Sequence, residues 1–264
     1  MVRELRRLLI PPDRLAAAGD PAKPGLRLQL LPAERHYLAR VLRYRQGERL
    51  ALVDGCGGRW TAELTGSEAL RLEQSLEAPL ERQPPPRPPL ELALALPRRD
   101  VDLVWRMATE LGLDRLQPLR ATRCVAKQQA PLERWRSVVA EASEQCERLW
   151  MPTLAPPLAA LSWLAQPPPA GGWAGGNRRF LATTRREGMV LLPAVLQALA
   201  VSDAPVVVAV GPEGGWTPEE EAAALAAGWQ AVSLGPLILR SGTAAVTAAA
   251  QLASWRALLS APAV

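Results

Sequence analysis

The sequence predicts an α/β fold: a mainly parallel sheet covered by helices, preceded by a small N-terminal domain that is mostly β. Three observations support it. From residue 90 onward strand-like and helix-like runs alternate, a proline-rich segment stands before them, and short β-type runs around a turn cluster stand before that.

The proline-rich segment, Glu81-Arg82-Gln83-Pro84-Pro85-Pro86-Arg87-Pro88-Pro89, lacks backbone donors and favours an extended, stiff connector. It divides the 264 residues into a first domain over 1–80, a linker over 81–89 and a second domain over 90–264. In the first domain, Glu48 to Val53 and Arg59 to Leu64 flank Asp54-Gly55-Cys56-Gly57-Gly58, which reads as a hairpin connection.

In the second domain Leu90 to Leu96 reads as a buried strand. Asp100 is placed to cap a helix carrying Leu103, Val104, Met107, Ala108 and Leu111 at helical spacing, and Gly112 ends it. Leu116 to Leu119 follows as a strand and Pro131 to Leu149 as an amphipathic helix. Pro152 to Asn177, rich in Pro, Ala and Gly, reads as a long irregular segment. Alternation then resumes: strand Phe180 to Thr183, a helix around Leu191 to Ala200, strand Val206 to Val210, helix Pro218 to Ala227, strand Ala231 to Leu234 and a final helix from Thr243 to Leu259.

Composition narrows the classes of function. With 48% hydrophobic and 22% charged residues, and no apolar run long enough to cross a bilayer, the chain reads as a soluble protein. Pro11-Pro12 interrupt the short apolar stretch near the N-terminus, so no secretory signal is expected and a cytoplasmic location is. Cys56, Cys124 and Cys146 form no CxxC pair and only one histidine accompanies them, which argues against disulfides and a metal site. The net charge is +5, and residues 1–50 alone hold eleven Lys or Arg against five Asp or Glu. A basic first domain fits a nucleic-acid partner.

Two segments near the C-terminus carry the chemistry. Gly211-Pro212-Glu213-Gly214-Gly215 leaves a strand, with glycines that let a ligand approach the backbone and one carboxylate among them. Thr217-Pro218-Glu219-Glu220 then opens a helix with the residues of a capping box. Taken alone, this loop serves equally well as a strand-to-helix turn. The second segment, Leu234-Gly235-Pro236-Leu237-Ile238-Leu239-Arg240-Ser241-Gly242-Thr243-Ala244, is apolar and ends in one arginine and small residues. In a parallel sheet both segments fall at the carboxyl ends of strands, where ligands bind. Neither a phosphate loop nor a Gly-x-Gly-x-x-Gly after the first strand of this domain is present.

Together these segments resemble the ribosomal RNA small subunit methyltransferase E family, of the SPOUT class, whose hallmarks are a GPEGG-like loop and a later LGxxILRxETA. The resemblance extends through Ala108-Thr109-Glu110-Leu111-Gly112, Arg123 to Lys127 and Glu141 to Arg148, and into the first domain through His36 to Arg43, Gly47-Glu48 and Asp54-Gly55. It implies a SPOUT-type C-terminal domain with a deep trefoil knot and a PUA-like RNA-binding β-barrel before it. It also implies a homodimer, S-adenosyl-L-methionine as cofactor, and methylation of uridine N3 in 16S ribosomal RNA, either as naked RNA or in the small ribosomal subunit. A cofactor site is implied at Leu181, Thr183, Gly211, Gly214, Gly215, Leu234, Gly235, Ile238, Leu239, Thr243 and Ala244.

Uridine N3 carries a proton at neutral pH, so methyl transfer there needs a proton acceptor or a cation for the charge that develops on the ring. Glu213 is the candidate base and Arg240 the candidate stabiliser; a Glu213 that only pins its loop is the alternative. RNA contacts are assigned to Arg3, Arg6, Arg7, His36, Arg40 and Arg43, because arginine pairs with phosphate in a fork and stacks on bases. Arg123, Lys127 and Arg148 extend the basic track or, alternatively, pair with Glu144 and Glu147. Trp216 adjoins the glycine loop and suits core packing, a pocket wall or base stacking. At Gly242 the family carries Glu, and an RNA-binding homologue with reduced or lost catalysis is the competing reading.

Overall fold

The computed structural model describes residues 5–125, 131–167, 178–184 and 186–260. The chain divides into two compact units, Met1–Pro85 with Ser143–Met151, and Pro86–Ala142 with Pro152–Val264.

The first unit contains β1 (Arg7–Leu9), α1 (Pro12–Ala17), β2 (Arg27–Gln29), α2 (Pro32–His36), a π-helical turn (Tyr37–Val41), β3 (Arg49–Val53), β4 (Gly58–Thr65), β5 (Ala69–Leu72) and β6 (Glu81–Arg82). Its strands form one sheet in the order β1-β3-β4-β5-β2, with β6 paired to β4. All pairs are antiparallel except β1 with β3. The expected hairpin is β3–β4. Asp54, buried in its turn, accepts the backbone N–H of Cys56 at 2.7 Å and of Gly58 at 2.8 Å, as a short Asx side chain does in a turn.

The second unit contains β7 (Leu90–Ala95), α3 (Val101–Glu110), β8 (Arg115–Arg120), α4 (Leu132–Gln145, whose last residues belong to the first unit), β9 (Thr153–Leu154), β10 (Leu158–Ala159) and α5 (Ala160–Leu164). It continues with β11 (Arg179–Ala182), β12 (Val190–Leu191), α6 (Leu192–Gln197), β13 (Val206–Val210), α7 (Pro218–Ala226), β14 (Gln230–Ser233) and α8 (Ser241–Ser260). The eight strands make a parallel sheet ordered β10-β8-β7-β13-β11-β14-β12, with β9 paired to β8.

Because successive strand residues face opposite sides, each central strand feeds two cores. Leu92 and Leu94 of β7, Val206, Val208 and Val210 of β13 and Phe180 of β11 pack on the face covered by α3 and α8. Ala93, Ala95, Val207, Ala209 and Leu181 pack on the other face, against α5 and Trp229. Every residue of β13 is buried, as expected of a central strand covered on both sides. Helix α8 buries Ala245, Ala248, Ala249, Leu252 and Trp255, a stripe at helical spacing.

The structure corrects several sequence expectations. Asp100 holds the position before α3, but its backbone is left-handed (φ 64°) and its side chain makes no capping bond. The helix expected over Pro131 to Leu149 stops at Gln145, and Glu147 is left-handed (φ 61°), a conformation no helix continues through. The segment Pro152 to Asn177 is not wholly irregular: it holds β9, β10 and α5, short pieces that alanine and proline content obscured. Residues 168–177 of that segment lie outside the described residues. Among the described residues no helix is long and apolar enough to cross a membrane, and no group of three His, Cys, Asp or Glu could hold a metal.

Candidate active site

Strands β13, β11 and β14 lie side by side, and their register sets Ala182 level with Val210 and with Val232. The chain therefore leaves all three strands along one edge, through Thr183, Gly211 and Ser233. That edge opens into a cavity of about 480 Å³, within the roughly 300–1,000 Å³ range of small-molecule sites.

The two segments singled out in the sequence meet there. The Ser241 hydroxyl at the start of α8 donates to the Gly211 carbonyl at 2.8 Å, closing the apolar segment against the glycine loop. Thr183, Gly211, Gly214, Gly215, Leu234, Gly235, Ile238, Leu239 and Ala244 all line the cavity, as do Ala182, Glu213 and Trp216. Leu181 does not. Side-chain parity turns it to the face of the sheet opposite Ala182, where it is fully buried in core with Trp216. Thr243 is exposed on α8 outside the lining, and Arg240 is exposed between Leu239 and Ser241, which both line it.

The glycine loop is held by side chains from several elements. Gly215 has φ 69°, a conformation glycine adopts without penalty. Arg123 donates to the carbonyls of Gly214 at 2.9 Å and Trp216 at 3.1 Å. A Cβ on Gly214 would stand 3.1 Å from the Arg123 Cβ, so the close approach of that clamp depends on glycine. The Trp216 indole is buried and donates to the Ala182 carbonyl at 3.1 Å. Glu213 is exposed and accepts the backbone N–H of Arg98 at 2.9 Å.

The expected capping box is present: Thr217 accepts from the Glu220 N–H at 3.1 Å, and the Glu220 carboxylate accepts from the Thr217 N–H at 2.9 Å. Glu220 is 1% exposed and also accepts the N–H of Thr122 at 2.8 Å and its hydroxyl at 3.0 Å. One carboxylate thus ties the start of α7 to the segment after β8. Glu220→Ala strands two backbone donors. It should cost roughly 2–3 kcal/mol, read as a lower midpoint in urea denaturation.

Sequence reasoning missed two features of this site. Arg186, Gly188 and Met189 form a further stretch of the wall, and Glu221 accepts the Thr183 hydroxyl at 2.5 Å while pairing with Arg186 at 3.7 Å. Arg186, Gly188 and Met189 follow β11 in the chain and Glu221 lies on α7, and no spacing signal announces that they meet there. Burial first, then the charges of Glu213 and Glu220, push the Cys124 thiol pKa up, which disfavours its thiolate.

The residues assigned to RNA fall in different surroundings. Arg6, His36, Arg40 and Arg43 are exposed on the first unit, whereas Arg7 donates to the Glu147 carbonyl and pairs with its carboxylate at 3.2 Å. Arg148 is half-buried in the Ser143–Met151 stretch of that unit. Arg123 is engaged with the glycine loop, and Arg3 and Lys127 lie outside the described residues.

A parallel α/β domain with a glycine-loop cavity at its strand ends, in a chain that also carries a small β unit, defines a class that comparison identifies. An RNA methyltransferase domain family matches residues 84–253, and an RNA methyltransferase PUA domain family matches residues 32–73. The ribosomal RNA small subunit methyltransferase E of Synechocystis is 38% identical over 93% of this chain and 76% of its own length. That of Mycobacterium bovis is 35% identical over 81% of each chain. The crystal structure of the Neisseria gonorrhoeae enzyme of the same name, bound to S-adenosyl methionine, superposes with a TM-score of 0.75 at 26% identity, covering 95% of this chain and 98% of that one. The chain belongs to the ribosomal RNA small subunit methyltransferase E family.

Proposed function

We propose that this protein binds S-adenosyl-L-methionine in the cavity at the ends of β11, β13 and β14 and methylates N3 of one uridine in 16S ribosomal RNA. The Ser241–Gly211 hydrogen bond carries the reading, because it joins both sequence segments into one ligand-sized wall. The lining suits an amphipathic cofactor: Thr183, Glu213 and Ser233 contribute polar side chains to it, and Leu234, Ile238, Leu239 and Met189 apolar ones. When bound, the cofactor supplies an activated methyl group.

The chain itself does the rest. The Arg123 clamp and the Trp216 anchor hold the glycine loop still, so reactants are aligned rather than searched for. Glu213 accepts the N3 proton of uridine, and Arg240 offsets the negative charge that develops on the uracil oxygens. The reading includes a knotted C-terminal domain, which the non-sequential order β7-β13-β11-β14 supports, and a homodimer. Leu237, 75% exposed, and Leu258, 69% exposed, suit apolar contact with a second copy. Mass spectrometry of 16S ribosomal RNA from cells with and without the gene tests the activity: loss of one N3-methyluridine is expected, and an unchanged profile overturns it.

Gly242 marks where this chain departs from the family. A Cβ there would lie 3.6 Å from Val104 Cγ2, an ordinary contact, and the residue sits in the first turn of α8. Gly242→Ala is therefore expected to raise stability by about 0.5–1 kcal/mol in thermal melts. Gly242→Glu, accommodated at the same backbone, should raise the methylation rate if the family carboxylate contributes to catalysis.

A further inference from the structure

The first unit holds a second concave site, of about 310 Å³. Buried Leu38 and Leu64 form its floor, half-buried Tyr44 a wall, and exposed Gln46 and Ser67 its rim. Two unusual pieces of backbone build it. Leu38 and Ala39 lie in the π-helical turn Tyr37–Val41, and Arg43, immediately before Tyr44, is left-handed at φ 57°. π-helical turns and left-handed non-glycine residues are unfavourable and concentrate at functional sites. Here they fold the chain back so that the Tyr44 N–H donates to the Leu38 carbonyl at 2.8 Å, setting the aromatic residue beside the apolar floor.

Of the charged residues around the site, Arg35 in the lining is paired with Glu68 at 2.9 Å. Arg14, Arg35, Arg49 and Arg71 of this unit each pair with a glutamate. Arg40, Arg43 and Arg45 are exposed and, among the described residues, their side chains make no salt bridge. Arg40 and Arg43 fall in the chain between the lining residues Leu38 and Ala39 on one side and Tyr44 and Gln46 on the other. An apolar, aromatic-walled hollow beside unpaired arginines complements a single-stranded nucleic acid, whose bases have stackable faces and whose phosphates take guanidinium forks.

We propose that this hollow takes one unstacked base of the RNA substrate while Arg40 and Arg43 hold the adjoining phosphates, a second contact point separate from the methyl-transfer cavity. The proposal rests on the RNA methyltransferase reading. It is tested by fluorescence anisotropy with a short labelled single-stranded RNA, and with heparin as a polyanion that has no bases. Ala39→Trp fills the hollow from an exposed position without removing core, and Ser67→Trp fills it from the opposite rim. Both should weaken RNA binding about ten-fold or more, the scale of one lost stacked base, while heparin binding stays at the wild-type level. Arg43→Gly relieves the left-handed strain, so it should melt at higher temperature yet bind RNA and heparin less well.

RNA binding by both tryptophan variants at wild-type strength, in a protein that still methylates ribosomal RNA, overturns the pocket alone. So does an equal loss of RNA and heparin, which leaves a basic surface without base recognition. A wild-type protein that binds heparin but no RNA overturns the pocket and the reading beneath it.

Discussion

Glu213→Gln is expected to lower methyl transfer by about 10²- to 10⁴-fold, the usual contribution of a positioned general base, while leaving S-adenosylmethionine affinity at the wild-type level. The amide is nearly isosteric, and its carbonyl oxygen can still accept the Arg98 N–H that the carboxylate accepts at 2.9 Å. The loop should therefore keep its shape and lose only the group that takes a proton. Single-turnover methylation together with calorimetry separates the outcomes. Unimpaired turnover makes Glu213 an anchor and nothing more; loss of both turnover and binding makes the carboxylate's charge part of the cofactor site.

Trp216→Ala is the second large effect. The indole is 5% exposed, packs in the core on one face of the sheet, and bonds the Ala182 carbonyl. Truncating a buried tryptophan costs about 3–5 kcal/mol, and here an acceptor at the end of β11 also loses its donor. A Cβ on Gly211 would sit 3.2 Å from the same indole, so the ring is the surface against which the glycine loop is shaped. The variant is expected to melt at clearly lower temperature and to bind S-adenosylmethionine at least ten-fold more weakly. A stable variant with normal binding would show that the loop is shaped without the ring. Trp216→Phe keeps most of the apolar bulk but not the hydrogen bond, and should fall between the two.

Part of the site was legible without coordinates because it is local. The capping box at Thr217 to Glu220 follows from residue types three apart, and the structure holds both of its reciprocal bonds. The strand Val206 to Val210 was legible because a short, uninterrupted β-branched run suits burial on both faces. Leu181 shows the limit. A span of strand can be read from composition, but which of its residues line the cavity depends on parity: Ala182 lines it, and Leu181, turned to the other face, does not.

Long-range partners were not legible, and they set the site's chemistry. Arg123 could be read as an RNA contact or as half of a salt bridge, yet its guanidinium reaches carbonyls ninety or more residues away, a pairing no sequence spacing encodes. Likewise the amphipathic segment Pro131 to Leu149 reads as one helix to its end, whereas Glu144 accepts the Leu9 N–H at 2.6 Å and Ser143–Met151 belong with the first unit. The sequence by itself determined the alternation of elements, the basic first domain, the glycine loop and the apolar segment, since each depends on residues close together in the chain. Only the tertiary structure decided that the two segments close on each other through Ser241 and Gly211, that Glu213 leans on Arg98, and that Arg40 and Arg43 make no salt bridge among the described residues. Those outcomes depend on which backbone and side-chain groups folding brings within hydrogen-bonding reach.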